Sequence, residues 1–121
     1  MHNPTIFLDI DGTLLKHRGD LRELMIREPE VLKGVYAKLN EWEAMGCRII
    51  LTTGRKESQR AITIQQLDKC GIFYDQLIMG IGGGPRYIIN DRKGDGSDTC
   101  FAINVDRNAG LENVTLDSQT E

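Results

Sequence analysis

Two aspartates, one residue apart and at the end of an apolar run, are the part of this chain best suited to chemistry. They lie in Ile6-Phe7-Leu8-Asp9-Ile10-Asp11-Gly12-Thr13-Leu14. Side chains of a strand alternate between its faces, so Asp9 and Asp11 point to one side if the extended geometry persists. Carboxylates held that close repel each other, and a divalent cation would remove the repulsion. A second apolar run, residues 49–53, ends in Thr53-Gly54-Arg55, and a third, residues 86–89, ends in Asn90-Asp91. Three acids with no patterned His or Cys nearby favour a hard, oxygen-seeking ion such as Mg²⁺. Once a metal offsets the repulsion between two anions, a carboxylate can attack phosphorus. What remains of phosphoryl transfer is mostly positioning and charge stabilisation. The Thr53 hydroxyl can donate to phosphoryl oxygens, the amides after Asp9 can form an anion-binding turn, and an Arg or Lys can add positive charge. Asp11 suits the exchange of a proton with the leaving alkoxide and then with water.

The elements that must position these groups read as alternating strands and helices. The first strand runs through residues 6–8 into Asp9, and Gly12 lets the backbone turn after it. Residues 15–29 are a polar excursion with a short helical turn near 21–26. Pro29, between Glu28 and Glu30, suits the first turn of a helix. From Val31 the apolar positions Leu32, Val35, Tyr36, Leu39, Trp42 and Met45 share one helical face, with Gly46 as the stop. Residues 48–52 predict the second strand and 57–70 the second helix. Residues 74–79, 86–89 and 100–105 predict three more strands. Gly82-Gly83-Gly84-Pro85 matches neither a dinucleotide fingerprint nor a phosphate-binding P-loop. Past Gly110 the chain is polar enough to suggest a loose tail. This alternation predicts an α/β fold with a mainly parallel sheet of about five strands, its ligand site outside the carboxyl ends of the strands.

Asp9-Ile10-Asp11-Gly12-Thr13-Leu14 resembles motif I (DxDGT) of the haloacid dehalogenase superfamily of phosphatases. Residues 49–53 with Gly54-Arg55 resemble its motif II, and Ile88-Ile89-Asn90-Asp91, with Asp95 following, resembles motif IV. The resemblance covers nearly the whole chain. It implies a three-layer, Rossmann-like core, an aspartyl-phosphate intermediate and Mg²⁺ as cofactor. By that resemblance Asp9 is nucleophile and metal ligand, and Asp11 is general acid/base and a metal ligand through its backbone carbonyl. Thr53 then binds the phosphoryl group, Asp91 is a further metal ligand, and Asp95 is an auxiliary acid. Gly12, Gly54, Arg55 and Lys93 complete the expected substrate-binding set, with Arg55 suited either to reach substrate or to pair with a carboxylate. The motif III cation is missing from its usual place, where Ile81 stands. Arg86 is the expected catalytic substitute, and Lys93 the next.

The rest of the composition narrows the partners. The chain has 121 residues and a net charge of −3, a size that predicts one domain. Its basic residues are scattered, so nucleic acid is an unexpected partner. The absence of a long apolar run predicts a cytoplasmic protein without a membrane partner. Cys47, Cys70 and Cys100 read as buried apolar groups and not as a disulfide framework. The intervals after Leu14 and after Cys70 are too short for a cap domain. Capless members of the family act on large substrates or borrow a neighbouring subunit as lid, so a homo-oligomer is one expectation. Small members associated with capsule and polysaccharide synthesis are the most similar, which implies a sugar phosphate. Two other readings stand beside this one: a non-catalytic Mg²⁺- or partner-binding module, and a polynucleotide 3′-phosphatase.

Overall fold

The computed structural model describes residues 3–116. The elements in chain order are β1 (Thr5–Asp9), α1 (Leu21–Ile26), α2 (Val35–Ala44), β2 (Arg48–Thr52), α3 (Arg60–Cys70) and β3 (Gln76–Ile78). A 3₁₀ turn, Glu57–Gln59, leads into α3. The strands form one parallel sheet in the order β1-β2-β3, with Asp9 opposite Thr52 and Thr52 opposite Ile78. Ile49, Ile50 and Leu51 are all buried, as a continuous apolar run in a central strand should be.

Right-handed crossovers between successive neighbouring strands put both connecting helices on the same side of the sheet. The core accords with that geometry. Leu8, Ile49 and Leu51, on one face by the alternation of side chains, pack with Val35, Leu39 and Trp42 of α2 and Leu67 of α3. The opposite face carries Phe7, Ile50 and Ile78, of which Phe7 is 53% and Ile78 40% exposed. Ile50, between them on the central strand, is buried.

The sheet has three strands in place of about five. Residues 86–89 and 100–105 belong to no strand, and nearly all of residues 82–105 lie exposed in an arm that leaves the core after β3. Among the described residues, the backbone–backbone hydrogen bonds of the arm are confined to its tip, Lys93 N to Ser97 O at 3.0 Å and Gly96 N to Lys93 O at 2.8 Å.

Helix α2 begins four residues later than Val31, and Pro29 lies outside it. The cause is tertiary. Lys16 N donates to Glu30 O and Leu32 N to Leu14 O, and Val31 forms a bridge with Leu15, so this segment is drawn into extended contacts. Gly34 starts the helix with φ +79°, and a Cβ there would lie 2.5 Å from Glu112 N. Gly110 is tighter still, since its Cβ would meet Lys33 O at 2.2 Å. These two glycines let residues 110–112 dock on residues 33–34, where Leu111 N bonds Lys33 O. Leu111 is buried, and Val114 and Leu116 pack on the core. The expected loose tail is thus corrected as far as residue 116, and residues 117–121 lie outside the described part.

Trp42 is the core anchor its position predicts, whereas Tyr36 and Met45 are half exposed. The Tyr36 hydroxyl donates to the carbonyl of Cys70 at the end of α3. All three cysteines are free; Cys47 is buried, but Cys100 is exposed on the arm. No helix among the described residues is long and apolar enough to cross a membrane.

Candidate active site

The site forms at the carboxyl end of β1 and β2, where Asp9 closes one strand and Thr53 follows the other. After Asp9 the chain winds into a tight turn. Thr13, Leu14 and Leu15 all donate to Ile10 O, and the Gly12 amide donates to Leu15 O at 2.7 Å. Gly12 holds φ +92° and is buried, with its carbonyl accepting from Asn108 N at 2.8 Å. Its amide is therefore spent inside the turn, which corrects the expectation that Gly12 binds substrate through it. The Ile10 amide instead bonds the carboxyl of Asp9.

Asp11 is gripped by Arg55. The guanidinium donates from Nε to Oδ2 at 2.9 Å and from Nη2 to Oδ1 at 2.8 Å. Its remaining nitrogen, Nη1, donates to Thr63 Oγ1 at 3.1 Å and Gln66 Oε1 at 2.7 Å, both on α3. With Arg55 only 7% exposed and its donors engaged, it holds Asp11 and does not reach substrate. Of the two roles the sequence allows it, the pairing with a carboxylate is the one the structure displays. A forked, charge-assisted contact of this kind fixes orientation as well as charge.

Thr53 is buried and stitched to both neighbours. Its amide donates to Ile78 O at 3.0 Å, and its carbonyl accepts from Ile81 N at 3.2 Å. Its hydroxyl accepts from the Arg55 amide at 3.0 Å, which leaves the hydroxyl hydrogen to donate elsewhere. Gly54 earns its place by contact: a Cβ there would lie 2.8 Å from Gly82 O, so the glycine lets the root of the arm seat against the end of β2. That is a packing role.

Burial at the strand end, and then the charge of Asp11, hold the Asp9 carboxyl above the ordinary carboxylate range. The Ile10 hydrogen bond and the positive charges of Arg86 and His17 act in the opposite direction. Arg86 is exposed and donates to the carbonyl of Gly84. Lys93 lies at the arm's tip, away from Asp9, where its charge acts on Asp95. No motif in the chain singles out His17. Its amide bonds Asn108 Oδ1 at 2.7 Å and its Nδ1 accepts from Gly19 N at 3.1 Å, which places the ring beside the Gly12 turn. Only the return of residues 106–108 to the core fixes it there, and no local pattern signals that.

Asp91 is the residue the fold does not bring in. It is exposed on the arm, where its carbonyl accepts from the Thr99 hydroxyl. Asp95 at the tip accepts from the amide and hydroxyl of Ser97, which hold it below the usual carboxylate range. Among the described residues no three His, Cys, Asp or Glu side chains converge on one point. A groove of about 410 Å³ opens at the root of the arm, lined in part by Ile103, Val105, Ala109 and Val114, and not at the carboxylates.

No family model and no curated protein matches the sequence. Two solved structures are similar. A chain of the Pnkp1/Rnl/Hen1 complex is 26% identical with a TM-score of 0.57, over 70% of this chain and 30% of its own length. A structural-genomics target from Vibrio cholerae is 21% identical with a TM-score of 0.55, over 93% of this chain and 90% of its own. The likeness is one of fold. This chain spans under a third of the chain it matches in the first, and both comparisons fit the small parallel α/β sheet found here.

Proposed function

We propose that the chain is a Mg²⁺-dependent phosphomonoester hydrolase that works through an aspartyl-phosphate on Asp9, acting on a small phosphorylated metabolite, a sugar phosphate by preference. The observation that carries the reading is the pairing at the carboxyl end of the sheet. Asp9 stands open on one side with the Thr53 hydroxyl on the neighbouring strand, while Arg55 locks Asp11 close by. The donor set suits a hard cation: the Asp9 carboxylate and the Asp11 backbone carbonyl offer oxygen ligands, the Asp11 carboxylate being taken by Arg55. Asp9 and Asp11 would hold it, with Asp91 a further ligand only where that residue is carried to the site, and it would supply charge neutralisation for the attack of one anion on another.

In the first half-reaction an Asp9 oxygen bonds to phosphorus as the ester P–O bond breaks, and Asp11 gives its proton to the departing alkoxide. In the second, water attacks phosphorus, Asp11 takes a proton from that water, and the Asp9–phosphorus bond breaks. To carry the proton, one Asp11 oxygen releases its Arg55 contact and turns to the leaving group, while the other contact keeps the side chain in place. The Thr53 hydroxyl and Arg86 stabilise charge on the equatorial phosphoryl oxygens. Ile81 at the usual motif III position favours the non-catalytic reading, and the charge of Arg86 at Asp9 argues against it.

The test is phosphate release from sugar phosphates, nucleotides and 3′-phosphorylated oligonucleotides, with and without Mg²⁺. Release that requires both Mg²⁺ and Asp9 is expected. Release unchanged in Asp9→Asn removes the nucleophile assignment, and an oligonucleotide as best substrate replaces the metabolite with a polynucleotide end.

A further inference from the structure

We propose that this site is completed by a second copy of the chain: residues 86–91 of one copy lie along the free edge of β1 in the other and deliver Asp91 to its Asp9 and Asp11. The part played by Asp91 rests on the hydrolase reading; the exchange of arms does not.

Four observations lead there. First, among the described residues β1 has a neighbour on one side only, and the open face beside it carries the half-exposed Phe7. An unblunted parallel edge of this sort is a pairing site for another strand. Second, the arm has the composition of a buried strand without being covered: Tyr87 is 89% and Ile89 96% exposed, with Ile88, Phe101 and Ile103 also open. An apolar surface of this extent on a well-formed segment marks an interaction site.

Third, the arm cannot reach its own β1 in the required direction. Gly80 N is pinned to Arg55 O at 2.7 Å and Ile81 N to Thr53 O at 3.2 Å, so the chain is still at the carboxyl end of the sheet at residue 81. For Asp91 to stand level with Asp9 on a parallel strand, Arg86 would have to start about 17 Å down the sheet and about 10 Å sideways. That is a straight line of about 20 Å, whereas the steps from Ile81 to Arg86 reach at most about 18 Å fully extended. A parallel crossover ordinarily takes a dozen or more residues. Arg86 accordingly stays at the carboxyl end, where its charge meets Asp9.

Fourth, both ends of the arm are tied at the site: Ile81 to Thr53, and Asn108 to Gly12 O at 2.8 Å. The arm therefore projects from the carboxyl end of its own sheet. If two copies face each other across a two-fold axis with their β1 edges antiparallel, the carboxyl end of one sheet lies beside the amino end of the other. An arm leaving the first then begins where a strand parallel to the second β1 must begin, and ends at that copy's carboxylates. The relation is reciprocal, as a two-fold interface requires. Each site would take Asp9, Asp11, Thr53 and Arg86 from one copy and Asp91 from the other.

Light scattering on the full chain is the first test. A dimer, or an assembly of dimers, is expected; a monomeric mass at the highest soluble concentration overturns the proposal whatever the protein hydrolyses. The second is Phe7→Cys with Ile89→Cys in a Cys100→Ser background, oxidised with copper phenanthroline. A reducible covalent dimer is expected, and a dimeric protein that yields none overturns the strand pairing. The third is co-expression of Asp9→Asn with Asp91→Asn, assayed at low Mg²⁺, where each alone keeps about 1% of the activity or less. Random pairing should restore about a quarter of the wild-type activity, because half the assemblies are mixed and one site in each is intact. No restoration in demonstrated mixed dimers overturns the shared site. A dimer that cross-links but never hydrolyses a phosphoester would leave the arm exchange standing and remove the hydrolase reading.

Discussion

Ile49-Ile50-Leu51 in β2 and Tyr87-Ile88-Ile89 in the arm are apolar runs of equal length, and each leads toward polar groups suited to a site. The first is buried throughout; the second is exposed throughout. Composition does not separate them. The run in β2 has helices long enough to return the chain beside its neighbours, α2 before it and α3 after it. The run in the arm has only residues 79–86 between it and β3, too few to cross the sheet. An apolar run states a need for cover, and the length of its connections decides whether its own chain can meet that need.

The largest expected effect falls on the core side of the contrast. Asp9→Asn should cut phosphate release by about 10³-fold or more, because the variant keeps the shape of the site and loses the nucleophile. Asp91→Asn, on the arm side, should cost less, about 10²-fold, with the loss partly recovered at high Mg²⁺. Equal losses that no Mg²⁺ concentration relieves would make Asp91 more than a ligand.

Packing gives the next contrast. Trp42→Ala removes a fully buried side chain and should lower stability by about 3–5 kcal/mol in a denaturant titration. Tyr87→Ser removes as large an apolar group from the arm and should leave the stability of the isolated chain within about 0.5 kcal/mol. Its effect should appear as a dependence of the melting temperature on protein concentration, as for any contact made between copies.

Arg55→Ala tests whether the site shares the stability of the core. It leaves the Asp11 carboxylate, 15% exposed, without the guanidinium that grips it. A loss of about 3–5 kcal/mol is expected by chemical denaturation. A loss below about 1 kcal/mol would mean that water replaces the guanidinium freely and that Asp11 is not fixed by it.

The smallest effect concerns protons in the metal-free protein. The Asp9 pKa is raised in the folded state by burial and by Asp11, so the native chain holds that proton more firmly than the unfolded one. The group therefore lowers stability as pH rises from the ordinary carboxylate range through its folded pKa. Asp11→Asn removes the second cause and leaves the first. A carboxyl-detected NMR titration should show the Asp9 midpoint moving down, and an unmoved midpoint would assign the whole rise to burial.

The sequence by itself determined the carboxyl-end site and the core strands. Local alternation places Asp9 and Asp11 together, and the apolar runs at 6–8 and 49–51 become strands with Thr53 at the end of the second. Trp42 and Leu39 fall on the buried helical face for the same reason: a period of 3.6 sets which side chains share a face, whatever lies beyond it. The tertiary structure decided what depends on distant partners. Extended contacts of residues 30–32 with 14–16 moved the start of α2 away from Pro29. The reach of a guanidinium across to Asp11 turned Arg55 from a substrate contact into a clamp. Return of residues 106–108 to the Gly12 turn set His17 beside it. The short link after β3, with its amides spent on Arg55 and Thr53, left Asp91 outside its own chain's site. Spacing is local and can be read along a chain, whereas a close approach between segments far apart in sequence depends on how the whole chain closes.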